Sequence, residues 1–171
     1  MAMFKAGAEA ATRRCADVIN AADGDDAGLC AALAAHGETV PSLRPDEARQ
    51  LRDAAARIRP VARAGSLEEA CARLNEVLAA CGPPRLTAHE DTPWHLHVDS
   101  GDDAGWGEWF TASSAMALAI LVAEHQQPPL GVCQAPGCDR VFPTHSPGRP
   151  RRYCSATCSS RARVASHRSR V

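Results

Sequence analysis

Aromatic residues make up only 4% of the 171-residue chain, with one Tyr, three Phe and three Trp. A core must therefore be assembled from Ala, Leu, Val and Cys. No apolar run reaches about 18 residues, so no transmembrane helix is expected. The N-terminal stretch MAMFKAGAEAATRRCAD contains no apolar h-region, so no secretory signal is expected and the setting should be cytoplasmic. There is no glycine-rich phosphate loop and no nucleophile elbow. Ser113-Ser114 has no recognisable partner base. These absences argue against an enzyme. No internal repeat or long low-complexity stretch is evident either.

The apolar content of 45% and charged content of 23% are those of a folded globular chain, one domain or two small ones. The net charge of −1 conceals an asymmetry. Residues 1–132 carry 11 Lys+Arg against 19 Asp+Glu, a balance of −8. Residues 133–171 carry 8 Arg, no Lys and 1 Asp, a balance of +7. An acidic body with an all-Arg tail suggests two working parts, and the tail suits a polyanion.

The body reads as helices. Ala11, Cys15, Val18, Ile19 and Ala22 keep helical spacing over residues 8–22. A short helix near 26–36 presents Leu29 and Leu33, with Gly37 as its stop. Pro45-Asp46-Glu47 suits a first helical turn, and the stripe Leu51, Ala54, Ala55, Ile58 predicts a helix ending before Pro60. Ser66 and Glu69 form a capping box for a helix through Leu78. Trp94–Val98 alternates as a short strand or hairpin would. The clearest stripe runs from Trp106 to Glu124, and Gln126-Gln127-Pro128-Pro129 then reads as a short stiff linker.

The eight cysteines divide at the same place as the charge. Cys15, Cys71 and Cys81 fall on helical stripes as small hydrophobes, and Cys30 is scattered with them. Cys133, Cys138, Cys154 and Cys158 follow the spacing C-x4-C-x15-C-x3-C. Two close pairs separated by a loop supply the four ligands of a tetrahedral, structural zinc ion, with no open position for chemistry. Pro136-Gly137 gives the first pair a tight turn. Arg140-Val141-Phe142 and Arg151-Arg152-Tyr153 read as two strands joined through His145-Ser146-Pro147-Gly148. The last pair opens a helix, for which Ser155 and Thr157 are good caps. Knuckle, hairpin and helix make a treble-clef-like finger. His145 is a further candidate ligand, and an iron–sulfur cluster is the other metal reading; the hairpin and basic helix favour zinc. Metal should supply most of the finger's folding energy.

On the terminal helix, Arg161, Val164, Ala165 and Arg168 share one face, with Val164 expected to pack toward the hairpin. Arg163, His167 and Arg170 share the opposite face. Arg forks grip phosphate bidentately and read guanine in the major groove. Arg149, Arg151, Arg152, Arg161, Arg163, His167, Arg168 and Arg170 are therefore the candidate nucleic-acid contacts. Arg161, within a turn of two ligands, is also placed to hydrogen-bond a sulfur.

The segments Cys133, Pro136-Gly137-Cys138, Phe142, Arg151-Arg152-Tyr153-Cys154-Ser155, Cys158, Arg161-Ala162-Arg163-Val164 and His167-Arg168 resemble the CGNR zinc finger. Cys158-Ser159-Ser160-Arg161 keeps the Cys and Arg of the name-giving motif and replaces its Gly and Asn. The body, through Asp17-Val18-Ile19-Asn20, Leu51-Arg52-Asp53-Ala54 and Leu74-Asn75, is similar to the ABATE domain that precedes this finger in bacterial stress-induced transcription regulators. The resemblance implies a mainly α architecture: an ABATE-like helical domain over 1–127 and a CGNR-type finger over 128–171. It implies a zinc-dependent, DNA-binding regulator whose body senses or dimerises.

The expected partner is double-stranded DNA, with a homodimer, a protein partner or a small-molecule effector of the helical domain left open, and no membrane. The alternative is a protein- or RNA-binding adaptor, since a body of −8 would repel DNA. His95 and His97, with His89 and Asp91 near, signal no fourth metal ligand and read as exposed strand residues. Asp99, Asp102 and Asp103 lack the closing Glu of a calcium loop. Asp23, Asp25 and Asp26 read as a solvated turn, and the Trp106, Trp109, Phe110 stripe reads as core.

Overall fold

The structure is a computed structural model and describes residues 2–40, 42–88, 93–101, 103–145 and 151–168. Among these residues the chain forms six helices and two antiparallel hairpins, so it is mainly α.

Helix α1 (Ala2–Ala21) begins well before the predicted start and buries Cys15, Val18 and Ile19. Helix α2 (Asp26–Ala34) is capped by Asp25, whose carboxylate accepts from Gly28 N at 2.9 Å. Gly37, at φ +89°, closes the end as predicted. Its N–H bonds Ala34 O, and Glu38 N–H reaches back to Leu33 O, the two bonds of a Schellman turn. The acidic turn before α2 is not simply solvated. Asp23 pairs with Arg59 at 2.6 Å and Asp26 with Arg52 at 2.7 Å, stitching the turn to α3.

Helix α3 (Pro45–Ala62) starts at Pro45 as expected but continues through Pro60. The proline removes one hydrogen bond in the last turn, and that loss is offset by burial of Val61 and Ala62. Helix α4 (Leu67–Leu78) starts at the N-cap Ser66, whose hydroxyl accepts from Glu69 N at 3.2 Å. The Glu69 carboxylate reaches one residue past the cap and accepts from Gly65 N at 2.9 Å.

Helix α5 (Trp106–His125) is long and apolar enough to cross a membrane by those two measures alone. It serves as the central core helix, packed on α1, α3 and α4. Phe110, Leu118 and Leu121 are buried, while Trp106 and Trp109 are half-buried against the same core. Gly107 sits where α5 meets α3: a Cβ there would lie 2.8 Å from Gln50 Cβ and from its carbonyl oxygen. Arg14 stacks on Trp109 at 4.2 Å and pairs with Glu38 at 2.7 Å.

Strands β1 (Arg85–Thr87) and β2 (His95–His97) pair with Leu86 opposite Leu96. His95 and His97 are half-buried, not exposed. Their Nε2 atoms are 2.8 Å apart, and His97 Nδ1 faces the buried Asp99, which also pairs with Arg85 at 2.9 Å. His89, Asp91 and Asp102 lie outside the described residues.

The finger hairpin differs from the predicted one. It pairs β3 (Leu130–Val132) with β4 (Val141–Pro143), Val132 opposite Val141. Residues 151–153 form no strand, and Ser146–Gly148 lie outside the described residues. The strand partner is thus the apolar Leu130-Gly131-Val132, which lies before the first finger cysteine. Leu130 and Val141 are buried in the main helical core, while Phe142, the next residue, joins the cysteine cluster. Asn20 of α1 clasps β4: its Nδ2 donates to Val141 O, and its Oδ1 accepts from Val141 N, both at 2.8 Å. Helix α6 (Ala156–Arg168) completes the finger.

Candidate metal centre

The cysteine-bearing loop grows out of the β3–β4 hairpin. Cys133 N donates to Arg140 O at 2.9 Å, continuing the ladder by one bond. Ala135-Pro136-Gly137-Cys138 then forms a tight turn, closed by Cys138 N to Ala135 O at 3.1 Å. Gly137, at φ +67°, takes the left-handed position that such a turn reserves for glycine. The turn aims Cys133 and Cys138 at one point, as the spacing predicts. Cys154 lies just before α6 and Cys158 on its first turn. Ser155 caps that turn, its hydroxyl accepting from Cys158 N at 3.1 Å.

Ligand atoms of Cys133, Cys138, Cys154 and Cys158 lie within 4.8 Å of one another. The Cys138–Cys154 and Cys154–Cys158 sulfur separations are 3.9 and 3.6 Å. Zinc–sulfur bonds of ~2.3 Å in a tetrahedron require sulfurs ~3.8 Å apart. The donor set and its spacing fit one structural zinc ion, and the four cysteines would hold it. His145 is not among them.

Four thiolates around zinc carry a net charge of −2, and donors converge on them. Cys154 N points at Cys133 Sγ (3.4 Å), and Arg161 Nη2 at Cys158 Sγ (3.2 Å). Burial and the adjacent thiols push Cys154 up to about 12, whereas the Ser155 hydroxyl and then the Cys154 thiol draw Cys158 down to about 7. Thiols this close resist ionising together without a cation, and a dication removes that resistance. Phe142, Ala135, Tyr153 and Ala162 cover the cluster with apolar surface.

The described candidate nucleic-acid contacts divide into three groups. Arg161 is committed to the Cys158 sulfur. Arg151 donates to Cys154 O at 2.9 Å and lies 5.6 Å from the Phe142 ring; Arg152 donates to Gln134 at 2.8 Å. Both are exposed at the finger surface. Arg163, His167 and Arg168 are exposed on α6. Arg149 and Arg170 lie outside the described residues. Val164 is 52% exposed and does not pack toward the hairpin. Ala162 packs against the cysteine cluster instead, and Ala165 is half-buried. Val164 therefore shares a shallow outer surface with Ser160, Arg163, His167 and Arg168.

One assembly carries no local sequence signal. His145 lies against His125, the last residue of α5, and Glu9 of α1. The three are separated by more than a hundred positions between first and last, so no spacing rule could join them.

Residues 130–171 match the family model of the CGNR zinc finger. No curated protein matches the chain.

Proposed function

We propose that the chain is a zinc-dependent, DNA-binding transcription regulator in which the metal fixes α6 as the reading element. The observation that carries this is the outer face of α6. Arg163, Val164, His167 and Arg168 are all exposed there, on a helix whose first turn supplies a zinc ligand. Arg163 and Arg168 have the fork geometry for guanine O6 and N7. Val164 offers an apolar contact of the kind made to a thymine methyl group. Arg151 and Arg152, with Arg149 and Arg170, supply phosphate contacts that set register without reading sequence. The helical body, residues 1–127, then serves sensing or dimerisation, since one small finger covers few base pairs.

The test is selection of the zinc-loaded full-length protein on a random duplex pool at physiological salt. Enrichment of a motif, lost on chelation and weakened steeply by added salt, is the expected result. Salt-insensitive binding, or full binding without metal, would sink the proposal. The exposed Val164 also favours one other reading, a protein- or RNA-binding adaptor. Capture of partners from extract with and without nuclease separates the two.

A further inference from the structure

The chain path after α5 brings two histidines face to face. Gln126 turns the backbone sharply at φ 52°, and Pro128-Pro129 lead into β3. Pairing Leu130 with Pro143 puts Thr144 beside Pro129. Thr144 fastens that end twice, donating its N–H to Pro129 O and its hydroxyl to Pro128 O. His145 is thereby delivered to the C-terminal end of α5, where its ring stacks on His125 with centroids 3.7 Å apart and planes 10° apart. Glu9, from α1, brings its carboxylate to the same place. One ligand atom from each of the three residues lies within 4.8 Å of the others, and all three residues are half-buried.

We infer that Glu9, His125 and His145 form a second metal site, for zinc or a similar first-row divalent ion, that clamps the finger to the helical body. Two imidazole nitrogens and one carboxylate oxygen are a borderline donor set, suited to zinc and its neighbours and not to magnesium or calcium. Three protein ligands leave the fourth tetrahedral position to water. Metal–imidazole bonds lie in the ring plane, so capture requires one ring to turn about its Cβ–Cγ bond. A tetrahedral ion with ~2.05 Å bonds then sets the two ligating nitrogens ~3.4 Å apart. Gln127 Nε2 lies 3.4 Å from His145 Nδ1, and the way its amide is turned selects the tautomer of that ring. Among the described residues Arg13 competes for Glu9, and weakly: its exposed side chain brings Nη1 only to 4.0 Å from Oε2. The site draws one ligand from each of three segments, so the ion would join α1, the end of α5 and the finger loop at a single point.

Cobalt(II) titration of the metal-free full-length chain tests this site separately from the cysteine centre. Thiolate ligation gives intense near-ultraviolet charge-transfer absorption, whereas nitrogen and oxygen ligation adds only weak visible bands. The wild type should take up two equivalents per chain, the first with the charge-transfer band and the second without it. His145→Ala and the near-isosteric Glu9→Gln should each stop at one equivalent with the charge-transfer band intact, which also reports that the finger is folded. A wild type that stops at one equivalent, or either variant retaining two, overturns the inference.

Discussion

The guanidinium of Arg161 lies 3.2 Å from the sulfur of Cys158, one turn earlier on α6. The Cys and the Arg that agree with the name-giving motif of the CGNR finger are thus joined physically, the cation steadying a thiolate that carries part of the site's excess negative charge. Arg161→Ala should raise the zinc dissociation constant by roughly 10–100-fold, the usual effect of losing a partner of a metal ligand. Competition against a chromogenic chelator measures it. Arg161→Lys should recover part of the loss, and unchanged affinity in Arg161→Ala would show the contact to be idle.

Asn20 is the side chain that binds the edge of β4 to α1. Replacing it by Ala strips both polar groups of Val141, whose side chain is buried, of their partners. A loss of about 2 kcal/mol in urea unfolding is expected. Asn20→Asp should also destabilise, because it keeps the acceptor for Val141 N but turns a carboxylate toward Val141 O.

Gly107→Ala offers a test of sign. In an exposed helix the exchange would stabilise by roughly 1 kcal/mol. Here the added Cβ meets the backbone and Cβ of Gln50 at 2.8–2.9 Å. A net loss of about 1–3 kcal/mol is expected as α3 and α5 are forced apart. A stabilised variant would mean that the two helices adjust without strain.

Burial pushes the Cys15 thiol from 9.0 up to about 12. The folded chain therefore keeps this proton where the unfolded chain has lost it. Stability from this group is complete below pH 9 and falls as the pH rises from 9 toward 12. Cys15→Ala should flatten that alkaline decline. With the native zinc protein near pH 8, iodoacetamide should modify the half-buried Cys30 and Cys71 before Cys15.

The zinc ligands were legible because sulfur spacing is a local signal, and the Pro136-Gly137 turn needs only its own residues. Helix positions were legible for the same reason, through apolar stripes and the stop and cap signals at Gly37 and Ser66; the cap at Asp25 was not, because its acidic turn reads equally well as solvated. The misreadings were tertiary in origin. Pro60 looks like a stop until Val61 and Ala62 are seen to be buried in the core beyond it. The sequence pairs Arg140-Val141-Phe142 with Arg151-Arg152-Tyr153, because Leu130-Gly131-Val132 is too short to announce a strand; its pairing with β4 depends on the helical core that covers both. Hydrophobicity alone points Val164 inward, whereas Ala162 is the residue that packs on the sulfur cluster. Glu9, His125 and His145 meet only because β3–β4 doubles the chain back across the end of α5.

On β4, two adjacent residues face opposite ways: Val141 belongs to the helical core and Phe142 to the sulfur cluster. The strand is a party wall between neighbours, and neither can be removed without exposing the other. A finger excised at residue 130 would carry a naked Leu130–Val141 surface and an unclasped strand edge. It would not be portable in the manner of tandem finger modules. A single residue inserted between Val132 and Val141 on the β4 side would present Phe142 to the helices and Val141 to the metal. Length, as much as chemistry, is therefore fixed in this loop.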